Sequence, residues 1–384
     1  MNQIQVFQPS IGPLELAEVS RVFSSNWIGK GQETSRFEHM FANHLEVPPA
    51  KTLSTSSCTA GLFNIMRLIR SLHPLIRSFH PLSRTLNVVM PSISFVGAAN
   101  AVVSAGLKPR FCDVDPRTLN PTVEHIERMC NRDTIAVVVL HYGGLPCEID
   151  KIAEFCVTMG LYLIEDSACS VASTHRGRAC GTWGDFGVWS FDAMKILCTG
   201  DGGMMYVAHE ELMKHAERMC FLGLSSESGM VSTDLRWWEF EVTYPGDRSI
   251  MNDVQSAIGV VQLQRLSGFI ERRREIHKLY NKHLKKVVET PPDEKDYQTH
   301  SYYFYWIQTK DRDDLARFLR SKMIYTTFRY FPLHRVKYYE HDGSELPGAE
   351  YAAAHTLNLP IHQALKDSEV EYVADSIKEF YGAK

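Results

Sequence analysis

Apolar and polar residues follow a regular rhythm over most of the chain. Up to Leu266, short continuous apolar runs are separated by segments whose apolar residues recur with helical spacing. A continuous apolar run is typical of a strand that is buried on both faces. The rhythm therefore predicts an α/β fold, in which helices cover both faces of a mostly parallel, mixed sheet. The predicted strands are Leu86–Met90, Pro109–Asp113, Ile135–His141, Leu161–Ile164, Gly187–Phe191 and Gly203–Val207.

A long amphipathic helix is predicted to follow this region, over residues 252–284. It begins at Asn252, which together with Gln255 has the spacing of a helix-capping box. A helix of this length is expected to connect two domains. The apolar residues on one of its sides are Val254, Ile258, Val261, Phe269, Ile276 and Tyr280.

The pattern beyond this helix indicates a second, smaller unit. It contains an aromatic run that predicts a strand over Tyr302–Ile307, a helix opened by Asp311 and a closing helix over Val370–Tyr381. We therefore predict a large domain over residues 1–265 and a smaller α+β C-terminal domain over residues 266–384.

The composition is that of a globular protein without a membrane or nucleic-acid partner. The chain has 384 residues, of which 44% are hydrophobic and 22% charged, enough to build a large core and a second one. The net charge of −4 and the pI near 6.5 argue against a basic surface for nucleic acid. No apolar run approaches the roughly 20 residues of a membrane helix, and the N-terminal segment lacks a secretion-signal pattern.

Neither the cysteines nor the histidines form a metal-binding pattern. The nine cysteines contain no C-x-x-C pair, and the sixteen histidines are scattered without an H-E-x-x-H motif. We therefore expect no metal site. An odd number of cysteines fits free thiols better than a disulfide framework, and this favours a cytoplasmic protein.

One local repeat has no assigned function. The segments Arg70–Leu75 and Arg77–Leu82 are nearly identical, and each contains a proline. Proline cannot continue a regular helix. We interpret this repeat as an inserted surface loop.

A lysine and an acid are the first candidates for chemistry. Lys195 lies between the hydroxyl of Ser190 and the glycine-rich turn Thr199–Gly203, a position in which a protein can present an amine to an aldehyde cofactor. Asp166 closes the apolar run Leu161–Ile164, and the carboxyl end of such a strand faces the ligand crevice of an open α/β sheet. Taken singly, a loop lysine is more often a solvated charge and such an acid more often a helix cap.

Two further features complete the set that pyridoxal phosphate (PLP) requires, namely donors for its phosphate and a face for its ring. Ser57, Cys58 and Thr59 precede a helical pattern, so their amides and hydroxyls are expected at a helix N-terminus, where anions bind. Ser190 adds a hydroxyl, and Phe95 follows a predicted strand and could stack on the ring. The alternatives are ordinary capping by Ser and Thr and a core phenylalanine.

Seven short motifs with these residues follow one another in a characteristic order. In this order and spacing the chain resembles the DegT/StrS family of PLP-dependent sugar aminotransferases. The resemblance extends from Gly12 to Pro360 and so covers nearly the whole chain. The motifs are Pro91–Val96, Phe111–Asp115, His141–Gly144, Glu165–Ala168, Gly184–Gly187, Ser190–Lys195 and Met251–Gln255.

The resemblance implies a fold type I PLP enzyme that works as a homodimer with active sites shared between subunits. It implies that Lys195 holds the cofactor (PLP or its amine form, PMP), that Asp166 pairs with the ring nitrogen and that Phe95 stacks on the ring. Enzymes of this family typically move an amino group from L-glutamate to a keto-deoxysugar that is linked to a nucleotide. The phosphate would be held by Ser57, Cys58, Thr59 and Ser190.

The chain departs from the family pattern at two positions. Arg248 stands where the family often has an asparagine that reaches the phosphate of the neighbouring subunit. An arginine can serve a phosphate through a charge-assisted hydrogen bond. Cys169 stands where Gln or His often lies near the phenolic oxygen of the cofactor, and a thiol is a weak hydrogen-bond partner. Both residues are included among the expected cofactor contacts.

The resemblance also indicates substrate contacts. Trp27 lies in a matching turn near the N-terminus, and Arg329, Tyr330 and His334 lie in a segment that enters the active-site region in the family. The cation of Arg329 could meet a pyrophosphate or the carboxylate of the donor. The alternative is that this segment is a packing loop of the small domain.

Three other functions compete with an aminotransferase. A sugar dehydratase of the same family would carry His in place of Lys195. A non-catalytic sensor of PLP or sugar would not need both Lys195 and Asp166. A nicotinamide dehydrogenase would require a G-x-G-x-x-G motif after the first strand, and the sequence has none there. The sequence leaves open which sugar carbon is aminated, which nucleotide is carried and which pathway uses the product.

Overall fold

The computed structural model describes residues 3–72, 85–224 and 240–382. Most of the predicted repeat loop, residues 73–84, lies outside these ranges. The large sheet lies between residues 52 and 207, and a second, two-stranded sheet lies between residues 305 and 359. The α/β class predicted from the hydrophobic rhythm is confirmed.

The large sheet has seven strands in the order β1-β9-β8-β5-β4-β2-β3. Strand β9 is antiparallel to both of its neighbours, while the other neighbouring pairs are parallel. The sheet is therefore mixed but mostly parallel, as predicted. Its strands are β1 (Thr52–Thr55), β2 (Asn87–Pro91), β3 (Lys108–Cys112), β4 (Thr134–Leu140), β5 (Tyr162–Asp166), β8 (Phe186–Ser190) and β9 (Gly203–Val207).

Strand β1 was not predicted. Its sequence, Thr-Leu-Ser-Thr, is mostly polar, yet all four residues are buried. Two short strands, β6 (Thr174–His175) and β7 (Arg178–Ala179), form a small sheet with β10 (Gln298–Thr299). Strand pairing rather than side-chain hydrophobicity decides these short elements.

Helices cover both faces of the large sheet and continue into the C-terminal part. In the described ranges, none of them is long and apolar enough to cross a membrane. The helices are α1 (Pro13–Ser24), α2 (Gln32–His44), α3 (Cys58–Leu72), α4 (Val96–Ser104), α5 (Val123–Met129), α6 (Ile149–Met159), α7 (Glu210–Cys220), α8 (Asp253–Leu284), α9 (Arg312–Ser321), α10 (Pro347–His355) and α11 (Asp367–Phe380).

Helix α8 has the predicted position and half of the predicted capping box. The side chain of Asn252 accepts a hydrogen bond from the Gln255 amide at 3.0 Å. The side chain of Gln255 does not return to Asn252 but donates to the carbonyl of Asp201 at 2.9 Å. The start of α8 is therefore tied to the glycine-rich turn that follows Lys195.

The aromatic run of the C-terminal part forms a shorter strand than predicted. Strand β11 covers Tyr305–Gln308 and pairs antiparallel with β12 (Thr356–Leu359). Residues 301–304 belong to no strand, because their amides bond to the turn after β4 instead: Ser301 bonds to Gly144, and Tyr303 and Phe304 bond to Gly143. The aromatic side chains of this segment are thereby brought to the edge of the large sheet.

Candidate active site

A cavity of about 230 Å³ lies at the edge of the large sheet where the parallel strands β4, β5 and β8 end. Crevices at this edge are the usual ligand sites of open α/β sheets. The cavity brings together nine of the predicted site residues, namely Ser57, Cys58, Thr59, Phe95, Asp166, Ser190, Lys195, Arg329 and Tyr330.

The end of strand β5 sets the direction of Asp166. Successive side chains of a strand point to opposite faces, and the neighbouring Glu165 points away from the cavity. Its carboxylate accepts hydrogen bonds from the amides of Gly181, Trp183 and Gly184 at 2.6–2.8 Å, and it lies 3.1 Å from Nε2 of His141. This network, in which Glu165 and His141 are fully buried, fixes the strand end, so that Asp166 lines the cavity.

The carboxylate of Asp166 is buried without an ion pair in the described part of the chain. Only 2% of the residue is exposed, and Oδ1 accepts one hydrogen bond, from the Ala168 amide at 3.1 Å. Burial raises the pKa of this carboxyl above its ordinary value, although the Ala168 amide and the charge of Lys195 act in the opposite direction. The carboxylate of Asp166 is therefore available to pair with a cationic group of a ligand that enters the cavity.

The loop after β8 holds Lys195 opposite this carboxylate. The loop is closed at its base by hydrogen bonds from Phe191 N to Gly202 O at 2.9 Å and from Thr199 N to Phe191 O at 2.8 Å. Within it, the Lys195 amide donates to Asp192 O at 2.8 Å. The lysine is thus carried on a constrained turn.

Several groups around Lys195 affect its charge. Burial disfavours the ammonium form, whereas the charges that Tyr303 and Cys169 carry when ionised, and the charge of Asp166, favour it. Together they raise the pKa of Lys195 above its ordinary value. In the structure described, the amine is therefore protonated at neutral pH. It must lose this proton before it can act as a nucleophile.

The start of helix α3 forms an anion cradle at one end of the cavity. The amides of its first turn have no intrahelical acceptor, and Ser57 Oγ accepts only that of Ala60, at 3.1 Å. Strand β9 passes this point closely, since a Cβ on Gly203 would lie 2.5 Å from the amide nitrogen of Cys58. Thr59 and Ser190 also line the cavity, and Ser190 pairs with Gly203 across strands β8 and β9.

Aromatic side chains form the wall of the cavity. Phe95 immediately precedes helix α4 and remains 42% exposed, and its ring lies 5.9 Å from the ring of Tyr330. The Tyr330 hydroxyl lies 3.9 Å from Sγ of Cys169. Burial raises the pKa of both groups, so the thiol and the phenol are neutral hydrogen-bonding partners.

Two predicted site residues line a different cavity. Trp27 and Arg248 lie on the wall of a larger cavity of about 450 Å³, together with Lys30, Arg218 and Phe221. The Arg248 guanidinium lies over the Phe221 ring, 5.4 Å from its centroid. The larger cavity contains neither Asp166 nor Lys195, so the smaller one is the candidate active site. Within one chain, Trp27 and Arg248 do not reach it.

His334 does not line the 230 Å³ cavity either. Its Nδ1 lies 2.6 Å from Ser92 Oγ, and its Nε2 lies 2.7 Å from Oε1 of Glu350. Arg335 also binds Glu350. The ring therefore connects the segment after β2 to helix α10. In this position His334 supports the loop that leads to Phe95.

The sequence did not predict Tyr303 as a site residue. Tyr303 lines the cavity, and Phe7 stacks on Tyr303 with ring centroids 5.5 Å apart. The guanidinium of Arg329 lies over the Phe7 ring at 4.9 Å, and its Nη2 lies 3.3 Å from Sδ of Met194. The only sequence signal was the aromatic run, which predicted a strand rather than a cavity wall.

An amine facing a buried carboxylate, an anion cradle and an aromatic wall define an α/β enzyme site for a phosphate-bearing cofactor. The model of the DegT/DnrJ/EryC1/StrS aminotransferase family matches residues 9–378. The chain therefore belongs to this family and is an aminotransferase. The family expected from the order of the motifs is confirmed.

Individual relatives and solved structures agree with this assignment. The dTDP-4-dehydro-2,3,6-trideoxy-D-glucose 4-aminotransferase of Saccharopolyspora spinosa is 48% identical over 98% of this chain and 96% of its own. The crystal structure of the aminotransferase TlmJ from Streptoalloteichus hindustanus has a TM-score of 0.92 and 51% identity, covering 99% of each chain. The PLP form of a putative sugar aminotransferase, Spr1654 from Streptococcus pneumoniae, shares the fold, with a TM-score of 0.85 at 22% identity and 98% coverage of each chain.

Proposed function

We propose that this enzyme uses PLP to transfer an amino group from an amino acid, L-glutamate, to a keto-deoxysugar linked to a nucleotide. The observation that carries the proposal is the buried carboxylate of Asp166, which forms no ion pair with any described residue and shares one cavity with the amine of Lys195. A buried anion is costly unless a cation pairs with it. The protonated ring nitrogen of PLP would be that cation.

The other residues of the cavity fit the same cofactor. The first turn of α3, with Ser57, Cys58 and Thr59, would hold the phosphate together with Ser190. Phe95 would cover the ring, and the neutral thiol of Cys169 would lie near the phenolic oxygen. When bound, PLP supplies an electron sink that stabilises negative charge on the carbon next to the amino group.

The chain's own residues would then handle charge and protons. Lys195 would hold the cofactor covalently between turnovers and, once displaced by a substrate amine, carry a proton between carbon atoms. Asp166 would keep the opposite edge of the ring cationic, an electrostatic contribution that is in place before the reaction starts. The same two residues would serve both halves of the cycle, because amino transfer runs the same steps in opposite directions.

The sugar substrate is proposed from the curated relative and from Arg329 in the cavity. The Saccharopolyspora spinosa relative is named for amination at carbon 4 of a dTDP-linked trideoxysugar, and we propose the same carbon and nucleotide here. Arg329 lines the cavity and is partly exposed, so it would bind either the pyrophosphate of the nucleotide or the carboxylate of the donor.

The function can be tested by product analysis. The purified protein, PLP and L-glutamate should convert a dTDP-linked 4-keto-deoxysugar to the 4-amino sugar, detected by mass spectrometry with transfer of ¹⁵N from labelled glutamate. Matched 3-keto sugars and UDP- or GDP-linked sugars serve as controls for carbon and nucleotide. Loss of a hydroxyl without gain of nitrogen would instead indicate a dehydratase, and tight PLP binding without turnover of any sugar would indicate a sensor.

We further propose that the enzyme is a homodimer with shared active sites. Trp27 and Arg248 line a separate cavity. A second copy of the chain would place Arg248 at the partner's phosphate and Trp27 at the partner's substrate. Helix α1, which precedes Trp27 in the chain, exposes apolar side chains, since Leu14, Leu16 and Phe23 are each more than 60% exposed. Exposed apolar patches of this kind mark protein interfaces.

The nine free cysteines support a reducing, cytoplasmic location.

Shared active sites predict complementation between two defective variants. Lys195→Ala and Arg248→Ala should each impair the enzyme, but dissociating and reassociating an equal mixture should restore about a quarter of the wild-type sites, because half of the dimers then contain one intact site of two. The recovered rate is measured against each variant alone. A mixture of Lys195→Ala and Asp166→Asn is the control and should recover nothing. Equal recovery in both mixtures, or in neither, would contradict the shared site.

A further inference from the structure

The amine of Lys195 lies over the ring of Tyr303, which has no role in the proposed cycle. Its Nζ is over the ring of Tyr303, 4.6 Å from the centroid. Tyr303 is 1% exposed. A cation in this position is attracted by the negative face of the ring far more strongly than a neutral amine is.

The ring of Tyr303 is held in place from several sides. The Tyr303 amide donates to Gly143 O at 2.8 Å, and Phe7 stacks on the ring at an interplanar angle of 17°. Nη1 of Arg273 donates to the carbonyls of Tyr302 at 3.1 Å and Tyr303 at 3.4 Å. Arg273 is itself buried and bonded to carbonyl and amide oxygens, with no carboxylate partner in the described ranges. The ring is therefore a fixed surface.

The hydroxyl of Tyr303 carries no charge at neutral pH, because burial raises its pKa above the ordinary value. It makes no hydrogen bond with any residue that the structure describes, so the contact with Lys195 is made by the ring alone. Phenylalanine would keep this ring, and leucine would remove it. The chain therefore offers a matched pair of substitutions that separates the aromatic face from the hydroxyl.

We propose that the face of Tyr303 is a further functional element of this site, which binds the protonated amine of Lys195 whenever that amine is not bonded to the cofactor. The inference rests on the proposed function only for the statement that Lys195 carries a proton during turnover. In that cycle the ring would stabilise Lys195 after it has taken up a proton and would keep the ammonium directed into the cavity. Tyr303 acts through Lys195 and is a positioning residue.

Other groups also face the amine and must remain unchanged in a test. They are Asp166 from strand β5, Cys169 from the segment after it, and Cys58 from helix α3. Arg329 faces Tyr303 and Cys169 from the C-terminal part. Substitution of Tyr303 leaves all of these in place, so a change in the titration of Lys195 would report on the ring.

The test measures the amine in the cofactor-free protein. The rate of acetylation of Lys195 is followed against pH by peptide mass spectrometry in wild type, Tyr303→Phe and Tyr303→Leu. We expect Tyr303→Phe to match wild type and Tyr303→Leu to react faster at neutral pH, by about tenfold for each pH unit that the titration moves down. Wild-type behaviour of Tyr303→Leu would overturn the proposal. If both variants react faster than wild type and to the same extent, the effect belongs to the hydroxyl, and the proposal is also overturned.

A second measurement needs no substitution of Tyr303. In cofactor-free wild type labelled with ¹³C at the lysine ε-carbons, the Lys195 signal, assigned by its loss in Lys195→Arg, should be displaced upfield by the ring at neutral pH. An ordinary chemical shift would contradict the contact. Both results are independent of turnover. If they hold and no sugar is aminated, the proposed function fails while the role of Tyr303 stands.

Discussion

Lys195→Ala should lower kcat by about 10³-fold or more, because one amine is expected to serve as both covalent anchor and proton carrier. The variant should also lack the visible absorbance that the wild-type protein acquires with PLP. In wild type, borohydride reduction should fix the cofactor to a single peptide containing residue 195, and mass spectrometry would identify it. The same treatment of the variant should leave that peptide unmodified.

A lysine on the surface provides the control for this experiment. Lys285 forms an exposed ion pair with Asp293 and lies outside both cavities that contain predicted site residues. Lys285→Ala should retain the absorbance and the activity. A Lys195→Ala variant that still forms the coloured species and turns over at the wild-type rate would remove Lys195 from the mechanism.

Asp166→Asn should have the second largest effect, with kcat/KM reduced by about 10²–10³-fold, because the amide has the same shape but cannot hold a cationic ring nitrogen. Cofactor binding should weaken as well. For wild type, PLP at 100 times its Kd should stabilise the fold by about 2.7 kcal/mol. Much of this gain should disappear in the variant, as measured by thermal unfolding with and without PLP.

The cofactor-free form of the same variant should change in the opposite direction. Burial raises the pKa of Asp166 in the folded chain, so the folded state holds this proton more tightly than the unfolded state. The contribution of Asp166 to stability is therefore most favourable below its ordinary pKa and declines as the pH rises through and above that value. At neutral pH, Asp166→Asn should unfold at a higher temperature than wild type, and its stability should depend less on pH in this range.

Asp293→Asn is the control for Asp166→Asn, since Asp293 is a mostly exposed carboxylate. It should leave cofactor binding, turnover and the cofactor-free stability near the wild-type values. A cofactor-free Asp166→Asn protein that is less stable than wild type would mean that the carboxylate serves a structural role. A variant with wild-type kcat/KM would mean that no cationic ring faces residue 166.

The local pattern of the sequence was sufficient to predict most of the large sheet and to place Asp166 and Lys195 at one edge of it. Apolar runs located six of the seven strands to within one or two residues at each end, because burial on both faces requires an unbroken apolar segment. The carboxyl ends of parallel strands lie together at one edge of the sheet, where ligands bind. Asp166 at one strand end and Lys195 shortly after another could therefore be assigned to the same crevice before the structure was known.

Other features depended on contacts between distant parts of the chain. The polar strand β1 is defined by its pairing with β9. The final position of Tyr303 depends on hydrogen bonds to Gly143 and Arg273, and that of His334 depends on Ser92 and Glu350. None of these partners is close in sequence.

The sequence by itself determined the fold class, the family and the residue types available for chemistry. These follow from periodicity and from the order of short motifs, which are local properties of the chain. The tertiary structure decided which of these residues share a cavity: it placed Tyr303 against Lys195 and left Trp27 and Arg248 in a separate cavity. The physical reason is that contacts between side chains more than a hundred residues apart form only when packing and backbone hydrogen bonds bring these parts of the chain together. Periodicity is a local property and does not specify which distant parts meet.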